Sequence, residues 1–277
     1  MVLQEYKPNP TLSEYVRTIR LINFSFAGVE ILPPKSYPPR PEHCLSFYVK
    51  GVENVEYQKS GVKNGNLSTV LFGQQTEVTN RFNSSDFLLI QVVFTPGGLY
   101  RLTNIPSNCL TNQYIDAQTI FSKEIKYVNE KILECKSYVQ MIAVVENFLL
   151  KETKRKSCEI HPLDTATTKI FSSETIPSVD VLAKAAFQST RNFERHFMQR
   201  MGVSPKYFLK VVRFENAFRM KNKNPVLDWL SIALSCGYYD YQHLVKDYKD
   251  LTGLTPNQFH EIESKSPERL FGQADTY

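Results

Sequence analysis

No run of this chain reaches the ~18 consecutive apolar residues that cross a bilayer. Its opening stretch, MVLQEYKPNPTLSEYVRTIRL, holds no apolar signal core. The five cysteines (Cys44, Cys109, Cys135, Cys158, Cys236) include no CxxC pair, so neither a disulfide framework nor a zinc knuckle is expected, and the thiols should be reduced. Histidine is scarce too, and only His43 precedes His161. A metal enzyme needs imidazoles and carboxylates clustered at short spacing, which makes a cupin-type metal enzyme a minor alternative. TPGGLY (95–100) lacks the lysine of a phosphate loop. Charge of one sign is not dominant: 33 Lys+Arg against 28 Asp+Glu leave +5, which permits an anionic partner without demanding one. These absences predict a soluble, cytoplasmic protein with no catalytic residue, cofactor, metal or membrane partner.

What is present suits two domains. The chain has 277 residues, 42% of them hydrophobic, and single cores stop growing near ~250–300 residues. Up to about residue 120 the runs are short and strand-like: CLSFYVKG (44–51), LSTVLFG (67–73) and SDFLLIQVVFTPGG (85–98). In the last, Leu88, Ile90, Val92 and Phe94 share one face and Leu89, Gln91 and Val93 the other. Both faces are mostly apolar, so this strand should lie between packed layers. LPPKSYPPRPEHC (32–44), with five prolines, should be a loop or edge. A small antiparallel barrel or sandwich follows from this grammar.

From about 121 the apolar period lengthens to 3.6. Ile125, Val128, Ile132 and Leu133 mark one helical stripe; Met141, Val145, Phe148 and Leu149 mark a second, entered through Ser137 and Gln140 at capping-box spacing. The charged run KETKRKS (151–157) reads as the interdomain connection, with a nucleic-acid patch as the alternative. We place a β-rich domain at 1–156, including two helices at about 122–151. A linker follows at 157–168, a helical domain at 169–265 and a tail at 266–277. The fold class is α+β: an antiparallel β-barrel or sandwich with trailing helices, then an all-α domain.

The helical domain repeats itself. GVSPKYF (202–208) returns as GLTPNQF (253–259), 51 residues on. Before the first copy, Ser178 caps a helix burying Val179, Leu182, Ala183 and Ala186, and Ser189 caps a second burying Phe193, Phe197 and Met201. Before the second copy, Leu230, Ile232, Ala233 and Leu234 form the first helix, and Asp240 caps one burying Leu244, Tyr248 and Leu251. Gly202 and Gly253 close the second helices; Ser204–Pro205 and Thr255–Pro256 start the next ones. Two tight helix pairs of this kind are helix-turn-helix units, joined by one long helix over 204–224.

Their outward residues are chemically informative. At about 189–201 these are Thr190, Arg191, Asn192, Glu194, Arg195 and Gln199; at about 240–252 they are Tyr241, Gln242, His243, Val245, Lys246 and Lys249. Such side chains suit major-groove base edges. Thr190, Arg191, Asn192, Glu194, Arg195, Tyr241, Gln242, Val245 and Lys246 are the candidate base readers. Ser189, Arg200, Lys206 and Lys249 are the candidate phosphate contacts. A solvated face on an ordinary helical bundle, or a protein-interaction module, is the competing explanation; repetition in register weighs against the first.

The pattern Leu182-Ala183, Ser189, Phe193, Arg195, Phe197, Gly202, Ser204-Pro205 resembles the first unit of the AraC/XylS family of transcriptional regulators. Ile232-Ala233, Gly237-Tyr238, Asp240, Leu244, Lys246, Tyr248-Lys249, Gly253, Thr255-Pro256 and Phe259 resemble its second. Lys246 stands where arginine is common, Tyr248 where phenylalanine is, and Leu244 where an aromatic is. The resemblance implies a sequence-specific regulator of transcription whose two recognition helices enter successive major grooves of double-stranded DNA. It also implies a cupin-like N-terminal domain, through which a small-molecule effector or homodimerisation would exert control.

Overall fold

The computed structural model describes residues 2–26, 32, 34–155, 158–173 and 176–265. Among the described residues, ten strands form two antiparallel sheets. The first orders β1 (Val2–Tyr6), β2 (Val16–Ser25), β9 (Asp86–Phe94), β4 (Cys44–Lys50), β7 (Thr69–Phe72) and β10 (Tyr114–Asp116). The second orders β3 (Lys35–Tyr37), β8 (Thr79–Asn83), β5 (Glu53–Tyr57) and β6 (Lys63–Asn64). The proline-rich segment contributes the short edge strand β3, whose three residues are flanked by Pro34 and Pro38 and include no proline.

β9 is the central plank. Leu88, Ile90, Val92 and Phe94 pack with α1 (Gly98–Thr103), α2 (Val128–Leu133) and α3 (Tyr138–Arg155). Phe87, Leu89 and Val93 face Val55 and Tyr57 of the other sheet. Three layers result: helices, six-stranded sheet, four-stranded sheet. Two expected helical contacts differ. Leu133 is exposed, being the last residue of a short helix, and Ile142 rather than Met141 takes the fully buried position on α3. At the start of α3, Gln140 N–H donates to Ser137 Oγ, while Gln140 Oε1 accepts from Lys136 N–H.

The all-α region holds α4 (Pro162–Thr168), α5 (Val179–Ala185), α6 (Thr190–Met201), α7 (Pro205–Lys223), α8 (Trp229–Ser235), α9 (Tyr241–Thr252) and α10 (Pro256–Ser264). Ser178, Ser189, Ser204, Asp228, Asp240 and Thr255 each cap the following helix with a side-chain oxygen. Two cores form. Leu182, Phe193, Phe197, Phe208 and Val212 lie in the first; Phe214, Phe218, Ile232, Leu244, Tyr248 and Phe259 lie in the second.

Leu230 and Leu234 are not inner residues of the second unit; both are more than half exposed. α8 spans only seven residues, so Ile232 and Ala233 take its whole inner face, and positions two before and two after point away. The segment expected as a linker over 157–168 is helical from Pro162. His161 caps α4, and Leu163 and Ala166 enter the first core. The tail at 266–277 lies outside the described residues, as does the first residue of that linker.

Candidate nucleic-acid interface

Each unit presents its second helix to solvent by the same local device. In α6, Ser189 Oγ accepts from Asn192 N–H and Phe193 and Phe197 turn inward, leaving Thr190, Arg191, Asn192, Glu194 and Arg195 exposed. In α9, Asp240 Oδ1 accepts from the backbone N–H of His243 (2.9 Å) and from its Nδ1 (2.8 Å). Those bonds hold the Asp240 carboxyl below the usual range. Gln242, His243, Lys246 and Lys249 are exposed; Tyr241 and Val245 are half-buried, and Tyr241 leans on the second core. The paired positions are Arg191 with Gln242 and Arg195 with Lys246. Thr190 is partly committed, its hydroxyl donating to Asp180 Oδ1 at 2.7 Å.

Lys206, exposed in the first turn of α7, shares a cleft with Lys210, Arg213, Tyr239, His243 and Lys246. Lys210 pairs with Asp250 (3.3 Å) and Arg213 with Asp247 (3.7 Å). Neither Tyr239, which is exposed and edge-on to the His243 ring, nor Lys210 was singled out by sequence. A helix-spaced lysine and a turn tyrosine look alike whether they line a cleft or not.

Arg200 is not a phosphate contact. Its side chain is buried, with Nε 2.6 Å from Asp164 Oδ1 and a second bond from Nη2 to Oδ2. Its guanidinium also stacks over the Tyr100 ring at 4.6 Å. The bidentate pair fixes one edge of the guanidinium against a buried carboxylate, and the burial of the whole side chain keeps it off the solvent-exposed face of α6. The end of α6 is docked on the N-terminal domain. Ser107 Oγ donates to the Arg200 carbonyl (2.8 Å), His43 Nε2 to that of Met201 (3.2 Å), and Thr111 Oγ1 to that of Gly202 (2.7 Å). Burial pushes the His43 pKa down to about 4, so the ring is neutral at pH 7. Gly202 has φ +80, and a Cβ there would meet Thr111 Oγ1 at 2.7 Å.

Beside this joint, the Gln188 amide lies 3.2 Å from His161 Nε2 and 3.0 Å from His196 Nδ1. His161 Nδ1 accepts from Leu163 N–H, so its proton sits on Nε2 and the amide oxygen is its acceptor. Burial, then nearby Arg200, lowers the His161 pKa.

The N-terminal sheets enclose a cavity. Ile22, Phe24, Phe72, Phe87 and Leu89 line it, together with Arg20, Arg40, Arg81, Glu42 and Glu53. Glu42 receives Arg17, Arg20 and Arg40 at 2.8, 2.8 and 3.5 Å, and these charges outweigh its burial and hold it well below the usual carboxylate range. No group of three or more His, Cys, Asp or Glu side chains suited to a metal occurs among the described residues. Among those residues, no helix is long and apolar enough to cross a membrane.

Two helix-turn-helix units on one long helix, each with a capped, outward-facing second helix, make up the C-terminal domain. Residues 182–262 match the family model of a helix-turn-helix domain, and residues 4–116 match that of a domain of unknown function, DUF6597. Residues 182–262 are thus a helix-turn-helix domain of the AraC type. It is 37% identical over 87 residues to an uncharacterized HTH-type transcriptional regulator of Haemophilus influenzae, covering 31% of this chain and 28% of that one. The chain thus spans little more than a quarter of that relative's length. ToxT of Vibrio cholerae aligns over 89% of this chain and 97% of its own, at 12% identity and a TM-score of 0.46. An AraC-type regulator of Chromobacterium violaceum aligns over 38% and 93%, at 26% identity and 0.33.

Proposed function

We propose that the protein is a cytoplasmic, sequence-specific transcription regulator that binds double-stranded DNA. α6 and α9 read successive major grooves. Arg191, Asn192, Glu194 and Arg195, with Gln242 and Lys246, meet base edges, and Thr190, Tyr241 and Val245 complete the contact surface. Ser189, Lys206 and Lys249 meet phosphates. The observation that carries this is the repetition in register. Arg191 and Arg195 in one unit, and Gln242 and Lys246 in the other, stand exposed in the opening turns of capped helices whose inner faces are filled. The cavity between the sheets, of about 80 Å³, is where a small effector would bind, against its apolar walls and the buried Arg20.

The test is fluorescence anisotropy of the full chain on a random-sequence duplex pool, titrated with salt, with sequencing of the bound fraction. Binding should weaken steeply with salt as counterions return to the DNA. The enriched DNA should carry two half-sites about 10 base pairs apart. A flat salt response with no enriched site would favour the protein-interaction alternative.

A further inference from the structure

The two helix-turn-helix cores share one bridge within their own domain, α7. Its first half, with Phe208, Leu209 and Val212, belongs to the first core; Phe214, Ala217 and Phe218 belong to the second. Long helices are rarely straight, and any change in the curvature of α7 would turn one reading helix against the other.

A second bridge runs outside that domain, along residues 35–44. At one end Tyr37 packs on the second core. There Lys35 Nζ lies 3.9 Å from Glu263 Oε2 of α10, both side chains nearly buried. At the other end His43 donates to the Met201 carbonyl at the close of α6. Between these anchors Pro38, Pro39 and Pro41 fix φ. Gln74 Nε2 holds the Arg40 carbonyl at 2.5 Å, and both guanidinium nitrogens Nη1 and Nη2 of Arg20 clamp Glu42. Six residues of such chain span about 20 Å at ~3.3 Å each. The strap is stiff, tied in the middle and fastened to one unit at each end.

We propose that the 35–44 strap is a specificity-determining element that fixes the separation and phase of the two reading helices, so that the protein selects one half-site spacing. This rests on the DNA-binding function proposed above. Inserting one base pair between half-sites turns the second by roughly 35° about the duplex axis. A doubly bridged pair of units cannot follow that turn, whereas a pair joined by α7 alone would flex to meet it.

The experiment compares three duplexes bound by the full chain: the selected double site, the same site with one inserted base pair, and a single half-site. Two variants accompany the wild type. Pro38→Gly/Pro39→Gly/Pro41→Gly loosens the strap, and Lys35→Ala/Tyr37→Ala releases its hold on the second unit. Thermal unfolding checks that each remains folded. The wild type should lose about tenfold or more on the inserted site, as for a mismatched base pair. The folded variants should lose only about threefold or less on that site, with single half-site affinity unchanged. Undiminished discrimination in a folded variant overturns the strap and leaves α7 as the sole ruler. A wild-type chain that binds none of the duplexes overturns the DNA-binding function itself, and the strap's role with it.

Discussion

Ser189, Gly202 and Ser204 have counterparts fifty-one residues on, in Asp240, Gly253 and Thr255, but Ser178 and Phe187 meet theirs, Asp228 and Gly237, after only fifty. The second unit therefore carries one extra residue in its turn. In the first, Phe187 takes the left-handed conformation (φ 56) and Gln188 bridges two histidines. In the second, Gly237 takes it (φ 79), Tyr238 fills a buried site and Tyr239 stands in solvent. Larger differences follow at the end of the second helix. Arg200, paired with Asp164, has Leu251 as its counterpart, an ordinary member of an aromatic-rich core. One unit is locked by charge to α4 and docked through three of its carbonyls, one of them at the His43 end of the strap. The other is held by apolar packing, by ion pairs from α7 to α9 and by the strap's Lys35 and Tyr37 end. The same backbone plan tolerates both because capping and turn chemistry, which set the plan, leave the helix ends free to vary.

The largest test of that contrast is Arg200→Ala. Stranding Asp164 in a buried site should cost about 3–5 kcal/mol in urea unfolding. Converting both partners, Arg200→Leu with Asp164→Leu, imitates the second unit and should recover most of the loss. Recovery below half would mean that the pair does more than hold the unit.

The His43 joint, which the second unit lacks, should make docking sensitive to acid. Its folded pKa of about 4 lies below the ordinary 6.5, so between those values the unfolded chain binds a proton that the folded chain refuses. Stability should be full above pH 6.5 and fall by about 3 kcal/mol as pH drops to 4. His43→Gln keeps a donor toward Met201 and should remove most of this slope in urea unfolding at pH 7 and pH 4.5. His161, shifted in the same direction, should leave a residue.

For reading, Arg195→Ala should weaken binding to the selected DNA by about 1–3 kcal/mol and relax preference at one base position. Lys246→Ala should show less base selectivity, because an ammonium is a point charge rather than a planar fork. Sequencing DNA bound by each variant checks both. A uniform loss across sequences for Arg195→Ala would make it a phosphate contact.

The smallest effects lie in the turns. Gly237→Ala meets open space, yet its φ of 79 should cost about 1 kcal/mol. Phe187→Gly should gain a similar or smaller amount, since the ring is 90% exposed and little burial is lost. Thermal unfolding of the pair would show opposite shifts.

The parts of this fold that rest on local chemistry could be read from the chain. Alternating apolar residues at 87–94 put β9 between layers, and Ser178, Ser189, Ser204, Asp240 and Thr255 marked helix starts because a short oxygen-bearing side chain satisfies N–H groups two or three residues on. Long-range pairing was hidden. Arg200 in a last helical turn looks like any solvated cation, and its partner lies 36 residues back in a segment whose polarity suggested a connection. Leu230 and Leu234 looked inward because seven residues are too few to show which side of a stripe faces the core. Neither sheet order nor the reach of Tyr37 to a second domain has a local signature.

Asp164 bears on where the chain can be cut. A fragment begun at 169, the boundary that composition suggests, would contain Arg200 but not the carboxylate that neutralises it, nor Leu163 and Ala166 from the first core. Begun before His161, it would keep both, along with the cap of α4. Whoever expresses the DNA-reading half alone should set the scissors there, some ten residues upstream of where the polar stretch invites them.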